Sequence, residues 1–205
     1  MDRICLIMAN KNPEEIFHQY GGQLKMSDAI KHGITRYMLY SLRDKGIIEQ
    51  ISRGLYRLTN LPSLSNQDLV AVSLRAPHAV ICLTSALSYH ELTTQIPHVI
   101  SVAVPREAHL PSIDYPPTQA YRFSGEAYQS GIEEHIIDEV SIKIYSPEKT
   151  LVDCFKYRNK IGMDIVLEAI KLYRTRKQFD LNKILKYAKI CRVERAITPY
   201  LEAII

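Results

Sequence analysis

The chain has 205 residues, 26 Lys and Arg against 22 Asp and Glu, and a 46% hydrophobic fraction, values ordinary for a folded protein with a buried core. No run approaches the ~18 apolar residues that span a bilayer, and the opening MDRICLIMANKNPEE lacks the small-residue cleavage site of a secretory leader. Cys5, Cys82, Cys154 and Cys191 are scattered without a CxxC pair, so neither a zinc knuckle nor a disulfide framework is suggested, and the pattern fits a reducing, cytoplasmic setting.

Charge is unevenly spread. Residues 1–58 carry 9 basic and 6 acidic side chains, residues 59–155 carry 5 and 11, and residues 156–205 carry 12 and 5. An acidic middle between basic ends suggests two surfaces suited to polyanions. Solvation of outer helix faces is the simpler account of the basic tail.

A first helix is expected within Asp2 to Tyr20. Pro13 suits the start of its main segment, and Glu14 and Glu15 complement the helix dipole. Gly21-Gly22 ends it. A second, short helix runs from Met26 to His32, with Met26, Ala29 and Ile30 as its apolar positions and Lys25 at a cap where Ser or Thr would serve better. Gly33 stops it. Thr35 caps a third helix, Ile34 can staple onto Leu39, and Met38, Leu39 and Leu42 form its inner stripe.

The opposite face of the third helix shows Arg36, Tyr37, Tyr40, Ser41 and Asp44. Two tyrosines and an arginine on a surface face suit a recognition helix, whose first turns meet base edges in the major groove. Ile47-Ile48 and Leu55 to Leu58 then flank Gln50-Ile51-Ser52-Arg53-Gly54 as a two-stranded hairpin. Arg53 at its tip is placed to reach a phosphate or the minor groove. Arg57 is either a phosphate contact or a solvated strand residue. Helix, turn, helix and basic-tipped hairpin make the plan of a winged helix-turn-helix. The candidate DNA contacts are therefore Thr35, Arg36, Tyr37, Tyr40, Ser41, Arg53 and Arg57, with a protein-docking winged helix as the alternative.

Leu61 to Asn66 reads as a turn-rich linker, placing a boundary between residues 1–60 and 61–205. A helix follows from Asn66 to Ala76. Thr84 can cap another that ends near Leu92; His90 on it and His98 beyond it have no carboxylate or cysteine at metal-ligand spacing, and are read as structural or surface histidines. Val99 to Val104 and Gln119 to Phe123 are strand-like, and Ile132 to Ile137 can pair with Val140 to Tyr145 across Asp138-Glu139. Ser146-Pro147-Glu148 starts a helix with Leu151, Val152 and Phe155 inside. Glu148, Lys149 and Asp153 resemble a metal-and-base set, but capping explains the start without chemistry. Three helices complete the chain, near Met163–Tyr173, Leu181–Cys191 and Arg192–Ile205, the last beginning afresh at Pro199. Lys183, Lys186, Lys189 and Arg192 form a possible second basic surface. The fold class expected is α+β: a winged helix-turn-helix, then a mixed α/β domain ending in helices.

The segments GGQLKMSDAIKHGITRYMLYSLRDKGIIEQISRGLYRL, ICLTSALSYHELTTQIPHVISVAVPR and YSPEKTLVDCFKYRNKIGMDIVLEAIKLY together resemble the AbiEi-type antitoxins of abortive-infection (type IV) toxin–antitoxin systems, which act in phage defence. The resemblance implies an N-terminal domain that represses its own operon at upstream repeats. It also implies a C-terminal domain that counters a nucleotidyltransferase-like toxin; direct contact with the toxin is left open. On that reading the partners are duplex DNA and the toxin, with no membrane, no catalysis, no cofactor and no metal. A regulator with a ligand-sensing C-terminal domain, and a nuclease with a DNA-binding head, are the alternatives.

Overall fold

A computed structural model describes residues 12–62, 64–108, 113 and 115–204. The expected opening of the first helix before Asn12 and the last residue of the final helix lie outside them.

The chain begins with α1 (Pro13–Gln19), whose Asn12 cap accepts from the Glu14 amide at 3.2 Å. Next come β1 (Gln23–Lys25), α2 (Met26–Lys31), α3 (Arg36–Asp44), β2 (Ile48–Ser52) and β3 (Leu55–Leu58). The sheet has three strands in the order β1-β3-β2, both pairings antiparallel, where a two-stranded hairpin was expected. The added strand is only QLK, too short for alternation to register. Arg53-Gly54 makes the wing turn between Ser52 and Leu55, with Gly54 at φ +72°, a left-handed conformation glycine adopts without strain.

Thr35 caps α3 as its sequence predicts, accepting from the Met38 amide at 3.2 Å, an interaction worth about 1 kcal/mol. Ile34 and Leu39 are buried in one cluster with Ile16, Phe17, Leu24, Ala29, Tyr56 and Leu58, and Met38 and Leu42 pack at its edge. Lys25 makes no side-chain cap for α2. Ile30, expected inside, is exposed.

The second part runs α4 (Gln67–Arg75), β4 (Val80–Ile81), α5 (Leu83–Tyr89), β5 (Ile100–Pro105), β6 (Thr118–Phe123), α6 (Glu126–Gln129), β7 (Ile132–Ile137) and β8 (Val140–Tyr145). It continues through α7 (Pro147–Lys156), α8 (Arg158–Ile161), α9 (Met163–Arg174), α10 (Leu181–Ile190) and α11 (Glu194–Ile204). Its strands form a five-stranded mixed sheet, β6-β5-β4-β8-β7. β7 and β8 pair from Ile132↔Tyr145 to Ile137↔Val140, and Asp138 and Glu139 turn at φ +49° and +64°, the two left-handed residues of a tight hairpin. Together the two parts are α+β, with the winged helix first and helices last.

Further details differ from the sequence reading. Cys82, not Thr84, stands at the cap of α5, and the Thr84 hydroxyl lies 3.5 Å from that of Ser101. Pro199 sits inside α11 rather than at a new start; burial of Ile197 and Leu201 on its two sides holds the helix through the lost backbone bond. α7 is buried almost throughout, its polar residues included. It lies in the main core, among Leu83, Leu87, Tyr145, Val166, Ile170, Ile184 and Ile197. There Lys149 pairs with Asp153 at 2.5 Å and lies over the rings of Tyr145 and Phe123 at 4.3 and 5.0 Å.

A candidate nucleic-acid interface

The α3 cap and the Gly33 turn fix the third helix against the cluster below, leaving its polar face outward. Arg36, Tyr40 and Arg43 follow at spacings of four and three and so share one flank. That flank faces the wing. Arg36, Tyr40, Arg43, Gln50, Arg53, Tyr56 and Arg75 line one cleft of about 920 Å³. Its floor includes Tyr56, whose phenol is pushed up by burial. The Arg43 guanidinium lies over Tyr40 at 5.2 Å and donates to Asp44 at 2.9 and 3.1 Å.

The other expected residues divide. Tyr37 is 81% exposed at the next helical position, and Ser41 lies one turn beyond it, half-buried. Thr35 spends a lone pair on its cap, which leaves its O–H available as a donor.

Arg57 is a correction. It is 4% exposed and donates to Glu49 at 3.1 Å and to the Pro62 carbonyl, so it is not a solvated strand residue and its guanidinium is engaged within the fold. β3 is the central strand and all four of its residues are buried. Arg43 and Arg75 are additions. Arg43 had a signal, seven residues past Arg36 on the same flank. Arg75 had none, because α4 and the wing meet only in the fold.

The second basic surface is not one ridge. Each step of three residues turns a helix by about −60°, so Lys183 and Lys189 point different ways. Lys183 Nζ lies 3.6 Å from Glu148 Oε1. Lys189 and Arg192 join Lys156 around a separate cleft of about 770 Å³ beside Gly125, and Lys186 is exposed on the helix between.

The carboxylates of the Glu148, Lys149 and Asp153 set are engaged in packing. Glu148 accepts from the Tyr173 hydroxyl at 2.7 Å, and Asp153 accepts from Lys149 and from the Cys191 thiol at 3.4 Å. Burial pushes the Asp153 carboxyl above its ordinary value, against the pull of Lys149. His90 Nε2 lies 2.7 Å from the Tyr145 carbonyl and so carries the ring proton; burial lowers its pKa. Among the described residues no helix is long and apolar enough to cross a membrane.

Helix, turn, helix and wing now stand with an arginine-lined cleft between the last two. Residues 13–59 match the family of AbiEi antitoxin transcriptional regulators. The AbiEi match thus covers the winged helix and supports a regulatory role for it; the LTSAL and SPEKTLVD segments lie beyond the matched range. No curated protein matches the chain. Among solved structures, the RV2827C protein from Mycobacterium tuberculosis is similar with a TM-score of 0.63 and 13% identity, covering 98% of this chain and 78% of that one. At that identity the likeness is one of fold.

Proposed function

We propose that this protein is a cytoplasmic antitoxin that represses its own toxin–antitoxin operon and counters a nucleotidyltransferase-like toxin. Residues 1–60 form the DNA-binding domain and residues 61–205 the antitoxin domain. One observation carries the DNA-binding half: Arg36, Tyr40 and Arg43 share a cleft with the wing-tip residue Arg53, within a segment that matches antitoxin regulators. Arg36 in the first turn of α3 reads a base edge, an arginine fork suiting guanine. Thr35, Tyr37, Tyr40 and Ser41 set the helix against phosphates, and Arg53 grips through the wing. Lys189 and Arg192 supply a second polyanion surface.

Fluorescence anisotropy on the upstream duplex against a scrambled duplex, at fixed salt, tests this half. Preference for the upstream duplex is expected. Arg36→Ala should cost about 1–3 kcal/mol of that preference, and Arg53→Ala should weaken both duplexes alike. Equal binding of the two duplexes by the unsubstituted protein would sink the repressor reading. The antitoxin half is tested by the neighbouring reading frames and by co-expression: a nucleotidyltransferase-like frame whose growth inhibition this chain relieves is expected, and no relief would sink it.

A second reading, a regulator whose second domain senses a ligand, is favoured by a cleft of about 360 Å³ where Gln23 and Asp28 meet Ser73, Glu139 and Lys143. A ligand there would sit between the two parts of the chain.

A further inference from the structure

The cleft between α3 and the wing is not built from the winged helix alone. Arg75, the last residue of α4, lines it beside Arg36, Arg43 and Arg53. Its Nε donates to Ser52 Oγ at 3.3 Å and an Nη donates to the Arg53 carbonyl. Both acceptors are neutral. Among the described residues Arg75 forms no ion pair with a carboxylate, whereas Arg43 in the same cleft is paired with Asp44. A guanidinium held in place by neutral acceptors keeps its full charge and has N–H groups to spare, since five donors sit on each fork.

The rest of α4 fixes that placement. Ala71 is buried with Ile51 and Leu55 of the wing strands, and Leu64 and Leu74 pack on them. Gln67 donates to the Ile51 carbonyl at 3.4 Å. The wing therefore lies on α4, and Arg75 emerges at its tip.

We infer that Arg75 is a phosphate contact in the DNA complex, so that the interface extends past the winged helix onto α4. This rests on the DNA-binding reading above. The partner chemistry is the phosphodiester backbone of a duplex, because Arg75 projects from α4 and not from the recognition helix, and its fork is held against Ser52 and the Arg53 carbonyl of the wing, the placement of a positioning contact. A contact of this kind carries no sequence information and shows itself through counterion release.

Anisotropy titrations of the full chain across about 50 to 200 mM salt separate the outcomes. Arg75→Gln should lose affinity equally on upstream and scrambled duplexes. Its log–log salt slope should fall in magnitude by about 0.9, equivalent to about eightfold weaker binding near 0.1 M. Arg75→Lys keeps the charge and should keep the slope. A role confined to bracing the wing would lower affinity with the slope unchanged, and that result overturns the proposal. A measurement on the unsubstituted protein is independent of any folding defect. Phenylglyoxal modification of Arg75, read by mass spectrometry, should fall when duplex is added, and unchanged modification overturns the contact. Should the DNA-binding reading itself be wrong, the unsubstituted protein would show no salt-dependent duplex binding and Arg36→Ala would change nothing. Should only Arg75 be misassigned, Arg36→Ala would still lose discrimination while Arg75→Gln kept the parental slope.

Discussion

Lys149→Met is the sharpest test of what holds the larger core together. Lys149 is 0% exposed and its partner Asp153 1% exposed. The ammonium is 2.5 Å from one carboxylate oxygen and over two aromatic faces. Removing the cation leaves a buried carboxylate whose other partner in the pocket is the weak Cys191 thiol donor. Breaking a buried pair from one side costs about 3–5 kcal/mol. For a chain of this size each kcal/mol moves Tm by about 2–4 °C, so a fall of roughly 6–20 °C is expected by circular dichroism. The carboxyl, already raised by burial, should rise further without its cation. The variant should therefore lose less stability relative to the parent in acid than at neutral pH. Lys149→Met with Asp153→Leu removes both charges and should recover most of the loss, because apolar replacement of a buried pair is often neutral. A single substitution costing under about 1 kcal/mol, far below the range for a broken buried pair, or a double variant no more stable than the single, would refute the reasoning.

Arg57→Ala should lower stability by about 1–3 kcal/mol, through the Pro62 carbonyl left without its donor and the lost packing of a buried side chain, with the DNA salt slope unchanged; a reduced slope in anisotropy titrations would restore Arg57 to the interface. His90 has a folded pKa below its ordinary 6.5 because burial disfavours the imidazolium. The unfolded chain then binds the proton more readily, so stability should fall as pH drops below about 6.5, by at most about 1.4 kcal/mol per pH unit for this group. Urea midpoints across that window should fall more gently in His90→Asn; identical profiles would exclude His90 as the source. Cys82 and Cys154 are pushed well above the usual thiol range by burial and Cys191 to about 11. In a Cys5→Ser background, iodoacetamide at pH 8 should leave all three unlabelled until urea unfolds the chain, and fast labelling of the folded protein would contradict their placement.

Legibility followed locality. The Asp138-Glu139 hairpin was readable to the residue, because two β-rich runs flanked a two-residue turn. The caps at Thr35 and Ser146 were readable because each signal lies within three residues of the amide it satisfies. Arg57 was misread for a non-local reason. Opposite Glu49 alone, it would point into solvent. Opposite Gln23 of β1 as well, it lies in a central strand, and a three-residue strand thirty residues earlier leaves no periodic trace. β4, two residues long and central in the other sheet, escaped for the same reason. Lys149 and Asp153 read as members of a metal-and-base set that capping made unnecessary, and their burial had no signal, since charged side chains are seldom buried singly; at spacing four they are buried as a pair. Of the residues that line the cleft, Arg36, Tyr40 and Arg53 were legible, whereas Arg43 and Arg75 were not singled out.

The wing's attachment bears on how tightly DNA can be held. A free-standing hairpin tip must be ordered when it meets the backbone, and each immobilised long side chain costs about 0.5–1.5 kcal/mol. Here the ordering is done in the fold. Arg75 and Gln67 of α4 hold the carbonyls of Arg53 and Ile51. At the opposite edge of the small sheet Gln23 of β1 donates to the Asp138 carbonyl at 3.0 Å, and the Asp138 carboxylate accepts from the Ser65 amide at 3.0 Å and its hydroxyl at 3.1 Å. The three-stranded sheet is thus tied through β1 to the β7–β8 turn of the larger sheet and through β2 and the wing to α4. Two ties at separated points fix orientation as well as distance, which a single linker through residues 59–66 cannot do. The two ties seat the small sheet on α4 on one side and on the β7–β8 turn on the other, with the arginine-lined cleft between α3 and the wing.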